Sequence, residues 1–201
     1  MVNVTKGLSG PDTLQGLQTR FAQGHQLPDM VPSRLLRDLL FEQANDKNSS
    51  TFREGVTADL AGYEQNPDKL GYDVLHHNVE IKPQNYPMDG RKRPRLSGGG
   101  NFTDFTWDRH HKYLEDNVTM LVSGFVNGQI SYILKFPYEL LTKRIEAQLY
   151  EQCTVRGNRY CRGASFSFLH YGEESEVVFF AGHRHEPYIQ KRLFRHLTGG
   201  S

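Results

Sequence analysis

A chain of 201 residues is long enough to bury a core of its own, and 24 Lys and Arg against 23 Asp and Glu leave no net field that would draw it to nucleic acid. Hydrophobic residues make up 37%, and no apolar run approaches the ~20 residues of a membrane span, so a soluble protein with no membrane partner is expected. The opening Met1-Val2-Asn3-Val4-Thr5-Lys6 has neither a basic region nor an apolar core, which predicts a cytoplasmic location and reduced thiols at Cys153 and Cys161.

Residues 1–32 are rich in Gly, Gln, Asp and Pro, with scattered apolar positions such as Leu14, Leu17 and Phe21. They predict an arm holding a short helix. Residues 33–201 read as a single domain. Ser33 can cap a helix in which Leu35, Leu36, Leu39 and Leu40 recur at helical spacing, ending before Asn45-Asp46-Lys47-Asn48. The type of the segment from Thr51 to Leu60 stays open. Gly62 and Asn66-Pro67-Asp68 then break the chain.

The run Gly71-Tyr72-Asp73-Val74-Leu75-His76-His77-Asn78-Val79-Glu80-Ile81-Lys82 carries the chemistry. Val74, Val79 and Ile81 favour strand, and His76-His77 marks a reversal. With those two as turn residues, Val74 faces Val79 and Asp73 faces Glu80. Opposed residues share a face, and Lys82, two beyond Glu80, joins them there. Two anions side by side need a cation, and two carboxylates suit Mg²⁺, which keeps most of its waters and takes substrate phosphate as well; Mn²⁺ is an expected substitute. Lys82 would position or deprotonate the attacking water, which is the logic of a phosphodiesterase.

This D-x6-E-x-K run resembles the signature of the PD-(D/E)xK nuclease superfamily, nearest in character to type II restriction endonucleases. Tyr72 stands where that signature often has proline, and the gap of six between Asp73 and Glu80 is short. The resemblance implies an α/β fold with a mixed sheet, the restriction-endonuclease-like αβββαβ core, over about 33–136, with additions over 137–201. It implies a Mg²⁺-dependent DNA endonuclease acting on double-stranded DNA as a homodimer. Asp73 and Glu80 would bind the metal and Lys82 would assist the water. Glu54 is the best upstream acid to join them, with Glu42, Asp59 and Glu64 behind it. A homing endonuclease, a junction resolvase and a DNA-binding protein without catalysis remain open alternatives.

Past Lys82, Pro83, Pro87, Gly90 and Gly98-Gly99-Gly100 predict a long loop without a regular element. Its run Arg91-Lys92-Arg93-Pro94-Arg95 is the candidate DNA contact, and the triple glycine suits close backbone approach to a ligand. A second basic stretch runs from His183 to His196 and reads equally well as a soluble helix face.

Thr106 predicts the cap of a helix through Trp107, His110, His111, Tyr113 and Leu114. Val118 to Val126 and Gln129 to Phe136 read as strands joined by an Asn127-Gly128 turn, and Pro137 opens a helix striped by Leu140, Leu141, Ile145 and Leu149. Ala164 to His170 and Glu176 to Phe180 alternate as strands, and Pro187 precedes a closing helix. Nine histidines invite a zinc reading. The cysteine spacing matches no CxxC knuckle, however, and adjacent histidines on a helix or strand point different ways.

Overall fold

The computed structural model describes residues 14–25, 33–46, 50–68 and 71–200. Most of the expected arm, and the side chains of Leu35 and Leu36, lie outside them. Within the arm, α1 (Leu14–Ala22) lies with α2 (Ser33–Asn45) and α3 (Thr51–Leu60). Thr19 donates to the buried Asp59 carboxylate at 2.8 Å, and Phe21 meets Phe52 edge to face, so α1 is packed on α3.

The remaining elements are β1 (Val79–Tyr86), β2 (Gly100–Phe105), α4 (Trp107–Glu115), β3 (Thr119–Val126), β4 (Gln129–Pro137), α5 (Thr142–Leu149), β5 (Cys161–Phe166), β6 (Glu176–Phe180) and α6 (Lys191–Leu197). The fold is mixed α/β. Four strands form the central sheet in the order β1-β3-β4-β6, with β1 parallel to β3 and the other pairs antiparallel. Parallel neighbours need a crossover, and here it carries β2 and α4. The strand Glu176–Phe180, expected among the additions, is an edge of this sheet. The strand expected at Ala164 instead begins at Cys161 and pairs with β2 in a separate two-stranded sheet.

Alternation along the strands divides the core in two. Val79, Ile81, Leu121, Phe125 and Ile133 pack under the helices with Phe52, Val56 and Leu60. Met120, Val122, Tyr132, Leu134 and Phe136 face the other way, onto Phe102, Phe166, Tyr113, Ile145 and Leu193. The Asn127-Gly128 turn has φ of 50° and 78°, the left-handed pair that a two-residue hairpin requires. Thr106 caps α4 by accepting the Arg109 N–H at 3.2 Å.

Two expectations fail around β1. The hairpin from Gly71 to Lys82 does not pair as a two-stranded ladder. Val74 bridges Gln65, with Leu75 N–H donating to the Glu64 carbonyl, while Val79 onward pairs with β3. The reversal itself is there, with His76 at φ 61°. Secondly, the strand does not stop at Lys82 but runs through Pro83 to Tyr86. Proline costs a sheet its ladder N–H only where that N–H has a partner, and β1 is an edge strand. The loop that follows is also anchored: Leu96 is buried and bridges Ile189.

Candidate active site on the open edge of β1

Because β1 has a neighbour on one side only, alternate backbone groups point outward, and Asp73 takes two of them. Its N–H donates to the Val79 carbonyl at 3.0 Å, and its Oδ2 accepts the Ile81 N–H at 2.6 Å. The carboxylate is thereby held against the strand between Glu80 and Lys82. Asp73, Glu80 and Lys82 are thus brought together, though by a side-chain cap on the strand edge rather than by the expected cross-strand pairing.

Glu80 is enclosed, its side chain 4% exposed, and both its oxygens are engaged. Oε1 accepts from Lys82 Nζ at 2.5 Å and from an Arg109 guanidinium nitrogen at 3.4 Å; Oε2 accepts from the Tyr113 hydroxyl at 2.8 Å. Tyr113 in turn accepts from Arg109 Nη2 at 2.6 Å and Nε at 3.1 Å. Lys82 and Arg109 remain 20% and 40% exposed, so the positive side of the site is the side that meets solvent.

Burial, and then the charge of Glu80, push the Asp73 carboxyl up to about 7, against the pull of the Ile81 N–H and Lys82. The Tyr113 hydroxyl is pushed far up, first by burial and then by Glu80, and stays a neutral donor. Burial pulls the Arg109 guanidinium down, but Tyr113 and Glu80 more than offset it and the net direction is up. Two carboxylates thus face two cations, and burial more than any surplus of charge is what makes ionising Asp73 costly.

Sequence reasoning missed Arg109 and Tyr113. They stand four apart on α4, so one helix face presents both, and that spacing beside a capping Thr106 was the available signal. The triple glycine serves a different purpose from the expected one. A Cβ on Gly100 would fall 2.7 Å from Lys82 Cβ, and one on Gly99 would fall 2.4 Å from the Phe166 carbonyl oxygen. These glycines let β2 and β5 close over Lys82, whose ammonium lies 5.3 Å from the Phe102 ring centre.

No family model and no curated protein matches this sequence.

The other expected site residues lie farther out. Glu54, half-buried on α3, accepts from the Ser50 hydroxyl, and its charge adds to the upward push on Asp73. Asp59 is buried against Thr19, and Glu42 and Glu64 are exposed. In the basic run, Arg93 pairs with Asp89 at 2.7 Å, while Arg91, Lys92 and Arg95 are exposed. Among the described residues, no three His, Cys, Asp or Glu side chains gather into a metal-binding group. His110 is buried against Tyr138 while His111 is exposed, and both cysteines are free thiols. Asp73 and Glu80 are the described carboxylates that meet at this edge and would be the ones to hold a metal, and their oxygen donors are of the kind that suits a hard ion such as Mg²⁺.

Proposed function

We propose that the protein is a Mg²⁺-dependent DNA endonuclease built on a restriction-endonuclease-like core. The observation that carries this reading is the convergence of Asp73, Glu80 and Lys82 on the open edge of β1, with Asp73 pushed up to about 7 by burial and then by Glu80. Two carboxylates beside a partly exposed ammonium and guanidinium are suited to a divalent cation and a phosphodiester together. When bound, Mg²⁺ would supply Lewis-acid polarisation of a phosphoryl oxygen, held by Asp73 and Glu80.

The chain's own residues do the rest. Tyr113 fixes the Glu80 carboxylate by donating to Oε2, so that Oε1 stays turned toward Lys82 and Arg109. Lys82 orients the attacking water for in-line displacement at phosphorus. Arg109, the more exposed cation, would meet the charge that develops on the phosphoryl oxygens in the transition state. The water oxygen forms the new bond to phosphorus and gives up its proton to solvent, the bond from phosphorus to the ester oxygen breaks with the electron pair leaving on that oxygen, and a proton from solvent neutralises it. Arg91, Lys92 and Arg95 add exposed positive charge for the DNA backbone. Cleavage of both strands of a symmetric site would call for a homodimer.

The test is plasmid cleavage with Mg²⁺ against EDTA, for the natural protein and for Asp73→Asn and Glu80→Gln. Cleavage that needs Mg²⁺ and both carboxylates supports the reading. No cleavage by the natural protein, or undiminished cleavage by either variant, overturns it.

A further inference from the structure

The two basic stretches, almost a hundred residues apart in the chain, are fastened to each other. Leu96 bridges Ile189, its N–H donating to the Tyr188 carbonyl at 2.8 Å and its carbonyl accepting from Gln190 N–H at 3.0 Å. This brings Arg95 into one cleft of about 600 Å³ with Arg184, Lys191 and Arg195. The facing acid is Glu186, and it is engaged by His183 at 3.6 Å. Arg184 is fixed by the carbonyls of Gln23 and Ile130, whereas Arg95, Lys191 and Arg195 make no ion pair with any described residue. Cations gathered in a concavity repel one another, and low-dielectric walls focus their field on whatever anion enters.

The walls also specify what kind of anion. Pro187 and Phe194 supply an apolar surface within the cationic cleft, Pro187 exposed and Phe194 half-buried. An inorganic ion has no use for that surface, whereas a nucleotide does: its phosphate meets the guanidinium groups and its base meets the ring. A smaller cleft of about 340 Å³ shares Arg95 and is lined by Gln84, Arg93 and Gln190. Gln84 follows Lys82 by two on β1 and so lies on the same face. Strand rise puts Lys82 to Gln84 at only about 7 Å, so the two clefts continue the candidate active site along β1.

We propose that the cleft between Arg95 and α6 binds a nucleic-acid strand, with phosphates on Arg95, Lys191 and Arg195 and a base against Phe194. The nuclease reading supplies the choice of a nucleic acid as the anion, but binding at the cleft does not require cleavage.

Binding is therefore measured in EDTA, by fluorescence anisotropy of labelled single-stranded and duplex 20-mers over a salt series. The variants are Lys191→Ala/Arg195→Ala and Phe194→Leu, the second keeping an apolar side chain over the core, and circular dichroism checks the fold of each. The double variant should bind at least tenfold more weakly, with a salt slope smaller by about two. Phe194→Leu should weaken single-strand binding about fivefold to a hundredfold at an unchanged slope. Unchanged affinity and slope in the folded double variant would overturn the cleft while leaving the carboxylate site standing. Intact binding by the natural protein with no Mg²⁺-dependent cleavage would do the reverse. Adenosine monophosphate is the competing probe: if it binds more tightly than the 20-mers, the cleft holds free nucleotides and the strand proposal fails.

Discussion

The Oδ2 of Asp73 accepts the Ile81 N–H at 2.6 Å, so an acidic side chain caps an outward-facing donor of an edge strand. An uncapped edge invites pairing with another chain. Here the cap keeps the edge occupied and at the same time sets a carboxylate beside Glu80.

That placement makes stability depend on pH. Asp73 titrates near 7 in the folded protein against 3.8 in the unfolded chain, so the folded state holds the proton more tightly. Its contribution is complete below about 4 and is lost as pH rises through 7. Asp73→Asn keeps an oxygen for Ile81 and cannot ionise. It should match the natural protein near pH 3.5 and exceed it by on the order of 4 kcal/mol at pH 8. Urea unfolding at the two pH values measures this, and an equal difference at both would show that Asp73 does not titrate in that range.

Divalent cations should reverse the penalty. On the nuclease reading, Mg²⁺ would compete with the proton on Asp73, so its binding should strengthen as pH rises through 7. At a concentration ten times its Kd, Mg²⁺ should add about 1.4 kcal/mol of stability, or roughly 3–6 °C in Tm. The shift is expected at pH 8 and not at pH 5.5, and Asp73→Asn should abolish it. A Tm that rises equally at both pH values would place the ion elsewhere.

Tyr113→Phe tests the bracing of Glu80. The hydroxyl donates to Glu80 Oε2 and accepts two bonds from Arg109, so its removal leaves a buried carboxylate oxygen without its donor. A loss of about 1–3 kcal/mol in urea unfolding is expected. A loss below ~0.5 kcal/mol would mean that Lys82 and Arg109 hold the carboxylate without it.

What was legible in the sequence was what short stretches decide by themselves. Asn127-Gly128 meets the left-handed φ of its turn within two residues, and Thr106 finds the Arg109 N–H three residues on. The strand through Pro83 was illegible because its cost depends on which side of β1 carries a neighbour, a property of the sheet rather than of the residue. Val74 was assigned to the wrong partner for a related reason: Gln65 and Val79 both lie within reach, and the outward groups of β1 were already taken by Asp73. In the site, Asp73, Glu80 and Lys82 announced themselves by charge at close spacing. Arg109 and Tyr113 looked like any helix residues until the crossover laid α4 against β1.

Gly124 marks a second constraint that periodicity does not show. The register of β3 against β4 shifts between Gly124 and Phe125, and a Cβ on Gly124 would fall 2.2 Å from a ring carbon of Tyr132, which is wholly buried. Gly124→Ala should cost about 2–3 kcal/mol by overpacking. A change within 0.5 kcal/mol in chemical denaturation would show that the sheet relaxes there.

Lys82 decides between chemistry and attraction. Its ammonium is held by Glu80 at 2.5 Å and by the Phe102 ring, with Gly100 pressed against its stem, so it is fixed in place before substrate arrives. A fixed charge works chiefly where charge develops, which is in the transition state. On the nuclease reading, Lys82→Ala should lower kcat at least a hundredfold and change KM less than threefold, and Lys82→Arg should restore little, because a planar guanidinium spreads its charge and its donors differently from a compact ammonium. Single-turnover cleavage with the binding step measured separately in Ca²⁺ gives both numbers. If KM rose with kcat unchanged, Lys82 would be a phosphate clamp, and orientation of the water would have to come from Arg109, the other cation on Glu80.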